Sequence, residues 1–125
     1  MRQTILILAT VVVLLVVAGG VALGVDKYGT NGHDLIFGTN SPDRLYGLGG
    51  KDTIDGNAGN DLIKGGSGND DHIKGGDGND TVYGGSGMDY VLGGPGYDVC
   101  DGGSGSNDLA NKASCEEVPN IEGYY

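Results

Sequence analysis

From Gly29 to Ala110 the chain divides into units that all open on glycine, nine residues long except for one of ten. They read GTNGHDLIF, GTNSPDRLY, GLGGKDTID, GNAGNDLIK, GGSGNDDHIK, GGDGNDTVY, GGSGMDYVL, GGPGYDVCD and GGSGSNDLA. Position six is aspartate in all but the last, where Asn107 stands. Position eight is apolar: Ile36, Leu45, Ile54, Ile63, Val82, Val91, Cys100 and Leu109, with Ile73 as its equivalent in the long unit. Self-similarity at a fixed period marks a solenoid, in which each unit is stable only when stacked on its neighbours.

Glycine makes up 27 of the 125 residues. In a helix each would cost about 1 kcal/mol against alanine. The first six residues of a unit, rich in Gly, Asn and Asp, read as a turn. The triplet that follows, such as Thr81-Val82-Tyr83, reads as a short strand with its middle side chain inward. Two units then make one coil, and the turns stack in two columns. Loops opening at Gly29, Gly47, Gly65, Gly84 and Gly102 share one edge, and those at Gly38, Gly56, Gly75 and Gly93 the other. A flexible GGSG linker has no need of a phased aspartate and a phased apolar residue.

GGSGNDDHIK carries its extra residue beside Asp70 and Asp71. Ile73 must still point inward and Gly75 must still open its loop. The extra residue therefore reads as a bulge at the junction of loop and strand, with either Asp70 or Asp71 as the loop's carboxylate.

The formal charge is −10, from 17 acids and 7 bases. This argues against nucleic acid, which wants a basic surface, and against an anionic membrane surface; it favours cations. The N-terminus runs apolar from Ile5 to Val17 after Arg2, then turns to small residues. Residues 1–24 have the layout of a secretory signal peptide, with Ala22 and Gly24 at the cleavage positions. The alternative is an uncleaved anchor, since Ile5 to Val25 is long enough to span about 30 Å of hydrocarbon. Either reading sends the roll of residues 25–110 outside the cytosol. In that compartment a Cys100–Cys115 disulfide is the default. It would fold residues 111–125 back over the last coil as a cap.

The units resemble the hemolysin-type, or RTX, nonapeptide repeat, GGxGxD followed by an apolar-centred triplet. The resemblance implies an all-β, right-handed parallel β-roll of about nine units, with calcium ions between successive loops of each column. Calcium takes six to eight oxygen ligands at about 2.3–2.6 Å. Glycine lets a loop adopt positive φ and bring carbonyls close to the ion. The family pattern implies ligation by carbonyls at odd loop positions and by the position-six carboxylate. In loop 47–52 these are Gly47, Gly49 and Asp52, and in loop 56–61 Gly56, Ala58 and Asp61. Loop 65–70 offers Gly65, Ser67 and either Asp70 or Asp71; loop 75–80 offers Gly75, Asp77 and Asp80. Loops 84–89 and 93–98 offer Gly84, Ser86 and Asp89, then Gly93, Pro95 and Asp98. Loops 29–34 and 38–43 depart from the pattern through Thr30, Thr39, Ser41 and Pro42, which weakens the case for Asp34 and Asp43. About four or five ions are expected.

The implied function is calcium binding by an exported, non-catalytic module. An acidic, glycine-rich chain with a single apolar side chain per unit is expected to fold only when calcium binds. The alternatives are an envelope-attached adhesin or matrix protein, and a secreted hydrolase. The last lacks a phased His-Ser-Asp set, and no stretch outside the roll is long enough for an enzyme domain. No EF-hand or dinucleotide fingerprint is present. His33 and His72 read as solvated. No small-molecule substrate is evident, and no protein or surface partner is specified.

Overall fold

The computed structural model describes residues 23–110, 115–116 and 123–124. The expected leader lies outside them except for Leu23 and Gly24, as does most of the expected C-terminal cap.

Each triplet becomes a strand because its central side chain is apolar and its flanking ones tolerate water, the alternation of a pleated ribbon. Asp26–Tyr28 (β1), Arg44–Gly49 (β3), Leu62–Ser67 (β5), Thr81–Gly87 (β7) and Val99–Gly105 (β9) form one sheet in that order. Leu35–Phe37 (β2), Thr53–Asp55 (β4), His72–Lys74 (β6), Tyr90–Leu92 (β8), Leu109–Ala110 (β10) and Gly123–Tyr124 (β11) form the other, likewise in order. Every pairing is parallel. The chain alternates between the sheets, giving a β-solenoid of about 5 turns with no helix among the described residues. The all-β parallel class expected from the repeat is the class observed.

Register aligns the position-eight residues. Leu45, Ile63, Val82 and Cys100 are opposite one another in one sheet. Ile36, Ile54, Ile73, Val91 and Ala110 line up in the other. Together they form one buried cluster, which Cys115 joins. Cys100 and Cys115 are disulfide-bonded, as expected.

At the N-terminal end the register sets Lys27 opposite Leu45, where an apolar residue would otherwise stand. Its Nζ donates to the Phe37 carbonyl on the other sheet. A charged residue on the terminal strand of this sheet also discourages edge-to-edge pairing with another chain.

The last unit departs from the sequence reading. Leu109, expected to point inward, is 38% exposed, and Ala110 is fully buried in its place. The position-six role passes from Asn107 to Asp108, which is also fully buried. Asn107 takes a left-handed φ of 66°. The unit has absorbed an extra loop residue: Gly87 pairs with Gly105, 18 residues on, whereas Tyr90 pairs with Leu109, 19 residues on. Core packing decides this, because a single strand reads equally well one residue earlier.

Candidate metal centre

The position-six aspartates connect the rungs of each column. In the first column the amides of Asp34, Asp52, Asp70 and Asp89 donate to Oδ1 of Asp52, Asp70, Asp89 and Asp108 at 2.8–2.9 Å. In the second column Val25, Asp43, Asp61 and Asp80 donate to Oδ1 of Asp43, Asp61, Asp80 and Asp98 at 2.6–2.8 Å. Each aspartate of the full-pattern loops thus spends one carboxylate oxygen on its neighbour's main chain.

The other oxygen is the chemically open one. Oδ2 of Asp52, Asp61, Asp70, Asp80, Asp89 and Asp98 is buried and has no hydrogen-bond partner. All six side chains are at most 3% exposed. A buried acceptor without a donor costs about 1–3 kcal/mol, and more when charged. For Asp52, Asp61, Asp70, Asp80 and Asp89 this oxygen lies beside the position-one glycine of its own loop, facing the next rung. A methyl group on Gly47 would meet Asp52 Oδ2 and the Gly65 carbonyl oxygen, each at 2.4 Å. The same pair of oxygens flanks Gly56 (Asp61 and Gly75), Gly65 (Asp70 and Gly84), Gly75 (Asp80 and Gly93) and Gly84 (Asp89 and Gly102).

Position-three carbonyls take part in rung stacking. Those of Ser67, Asp77, Ser86 and Pro95 accept from the amides of Gly50, Gly59, Gly68 and Gly78 at 2.8–2.9 Å. Gly49 and Ala58 hold the same position, paired with Ser67 and Asp77. A carbonyl oxygen has a second lone pair available. The donors between rungs are therefore hard oxygens from carboxylates and main chain, a set that fits calcium. Among the described residues no three His, Cys, Asp or Glu side chains cluster to hold a metal by themselves. Main-chain oxygens must contribute to any ion there.

The two N-terminal loops differ in kind. Thr30 donates to Asp34 Oδ2 from its amide at 2.6 Å and its hydroxyl at 3.0 Å. Thr39 does the same for Asp43 Oδ2, at 2.5 and 3.1 Å. In both, Oδ2 finds its donors inside its own loop.

The choice between Asp70 and Asp71 has a geometric answer for the ladder. Asp70 is 1% exposed and sits in it. Asp71 is exposed and pairs with Lys51 Nζ at 2.7 Å. The extra residue sits between Asp70 and His72, at the expected junction of loop and strand. His33 is exposed, as is His72, whose ring packs against Tyr90 at 4.8 Å.

Burial pushes the Asp61 carboxyl up to about 7, and those of Asp80 and Asp89 up to about 6. It raises Asp52, Asp70 and Asp98 as well. The ladder hydrogen bonds oppose this shift and neighbouring carboxylates add to it. The columns thus stack buried acidic groups whose burial and mutual repulsion both favour the protonated form, with the His33 ring acting the other way on Asp52.

Sequence reasoning missed two ladder residues, Asp108 and Glu116. For Asp108 the signal was present, an aspartate one place late before an alternative apolar residue. Glu116 lies 18 residues after Asp98, the column spacing, but in a stretch with no GGxGxD pattern.

The family model of the RTX calcium-binding nonapeptide repeat matches in 4 overlapping copies, over residues 28–63, 48–71, 65–100 and 74–109. No curated protein and no solved structure matches the chain.

Proposed function

The chain belongs to the RTX calcium-binding nonapeptide repeat family, and from that premise we propose that residues 25–110 form an exported, non-catalytic module that folds on binding extracellular calcium. The observation that carries this reading is the set of buried aspartate oxygens without hydrogen-bond donors.

Five gaps between rungs would hold the ions. In the first column they lie between loops 47–52 and 65–70, between 65–70 and 84–89, and between 84–89 and the loop ending at Asp108. In the second they lie between 56–61 and 75–80, and between 75–80 and 93–98. Asp52, Asp70, Asp89, Asp61 and Asp80 supply the carboxylates, with odd-position carbonyls of adjoining loops completing each shell. The gaps above the threonine-capped loops are left out, because Asp34 and Asp43 already have donors. Bound calcium supplies the positive charge that the stacked carboxylates lack.

Coupling to folding follows from the same geometry. The core holds a single apolar side chain per unit, so burial contributes little against the entropy of ordering glycine-rich loops. The stacked carboxylates repel one another until a cation intervenes. An ion that binds only the folded form adds its binding free energy to folding. Extracellular calcium modules work at about 10⁻⁴–10⁻³ M, so the chain stays unfolded at cytosolic calcium and folds outside. Residues 1–24 then act as the leader, or as an anchor with the roll outside, and residues 111–125 as the cap. The Cys100–Cys115 disulfide suits an oxidising compartment.

Far-UV circular dichroism of the chain from Val25, in EDTA and in millimolar calcium, tests the reading. A β signal that appears only with calcium, alongside calorimetric binding of several ions, supports it. The same β signal in both conditions overturns it.

A further inference from the structure

The second column does not end at its last repeat loop. Asp98 is fully buried, and its Oδ2 has no hydrogen-bond partner. In every earlier rung that atom faces the next loop of the column. After Asp98 the next rung is the tail, and the tail supplies Glu116. The Asp98 amide donates to Glu116 Oε2 at 2.5 Å, the bond that ladder aspartates accept. The Glu116 amide donates to the Asp98 carbonyl at 2.8 Å. That second bond is the one Val99 makes to Asp80, so the Glu116 backbone sits one place beyond a ladder aspartate. Its extra methylene lets the carboxylate reach back to the ladder position, which an aspartate side chain would not do.

We propose that Asp98 and Glu116 form a further calcium site beyond the repeats, kept in place by the Cys100–Cys115 disulfide. Resting on the calcium reading above, it extends the ion column onto a non-repeat residue. Asp98 Oδ2 and Glu116 Oε1 are the carboxylate donors, while the carbonyls of Gly93 and Pro95 accept from the amides of Gly76 and Gly78 in the rung before and serve the preceding gap. Glu116 is exposed, so this site opens to solvent. Cys115 precedes it and is bonded to Cys100 with the Cα atoms 5.7 Å apart. That bond anchors the rung to the core, and occupancy of the site therefore depends on disulfide state.

The test counts bound calcium on the full chain by equilibrium dialysis, with circular dichroism at saturating calcium as the folding check. Glu116→Gln keeps an oxygen for the Asp98 amide and removes the charge. It should lose one ion per chain relative to wild type, as should reduction of the wild-type disulfide. Asp26→Asn, a surface change of equal charge, should lose none. An unchanged count in Glu116→Gln overturns this site alone, whereas a wild-type chain that binds no calcium overturns the reading beneath it. Loss of one ion in Glu116→Gln but none on reduction removes the disulfide dependence. Loss of all ions in both would assign the tail to folding of the whole roll and overturn a local site.

Discussion

The amide of Asp52 donates to Oδ1 of Asp70 at 2.8 Å, across a sequence separation of 18 residues. Oδ2 of the same Asp70 has no hydrogen-bond donor and lies against Gly65, near the carbonyl of Gly84. One carboxylate thus ties its loop to the rung before and offers an oxygen toward the rung after. Stacking and ion binding share the same side chain, so neither is separable from the other by position in the sequence.

Asp70→Ala should therefore be far more damaging than Asp71→Ala. The first leaves the Asp52 amide buried without an acceptor, at about 1–3 kcal/mol, and removes a carboxylate from the column. The calcium midpoint for folding should rise several-fold, on the order of that cost. The second removes an exposed pair with Lys51, a class worth about 0–1 kcal/mol. Its midpoint should barely move. Calcium titration followed by circular dichroism compares them, and equal shifts would contradict the assignment of Asp70 to the ladder.

Glycine substitutions should separate by rung contact. Gly68 has φ of 129°, and an added methyl would lie 1.8 Å from the Gly50 carbonyl oxygen. Gly68→Ala should abolish calcium-induced folding or raise its midpoint beyond reach. At Gly32 the nearest such contact is 3.5 Å away and φ is not left-handed. Gly32→Ala should titrate like wild type.

Protons and calcium should compete for the same carboxylates. The folded-state values of Asp61, Asp80 and Asp89 are raised by burial to about 7, 6 and 6. A raised value means the folded form binds protons more tightly than the unfolded chain. Without calcium, that contribution to stability is complete below the unfolded carboxylate range and is lost as pH rises through about 6–7. In EDTA the β signal should grow as pH falls from 8 to 5. With calcium present, apparent affinity should weaken over the same interval. A flat pH response in EDTA would remove burial as the source of the raised values.

Reduction of Cys100–Cys115 should lower the stability of the calcium-loaded roll. The bridge spans 15 residues, for which loop-closure entropy gives about 3 kcal/mol. Thermal unfolding in saturating calcium should then shift down on the order of 10 °C or more after reduction. A reduced chain that melts at the oxidised temperature would show that the tail adds nothing to the fold.

The two-column plan was legible because each unit repeats a turn and an inward residue at a constant spacing. Ile54, Ile63 and Val82 needed no tertiary information to be placed in the core. The Asp70–Asp71 doublet did need it. Either carboxylate fits the loop locally, and only the register of Thr53 with His72 and the ladder bond to Asp89 decide between them.

By itself, the sequence determined the period, the alternation of glycine turns with single inward residues, the acidic oxygen-rich loops and the pairing of the two cysteines. Each of these is a property of one unit, or of a compartment, and needs no neighbour to be read. The tertiary structure decided which residue holds each place where the period slips: Ala110 over Leu109, Asp108 over Asn107, and Glu116 as the rung after Asp98. Those choices depend on what the adjacent rung offers, an open core position or a waiting amide, and the adjacent rung lies 18 or 19 residues away along the chain.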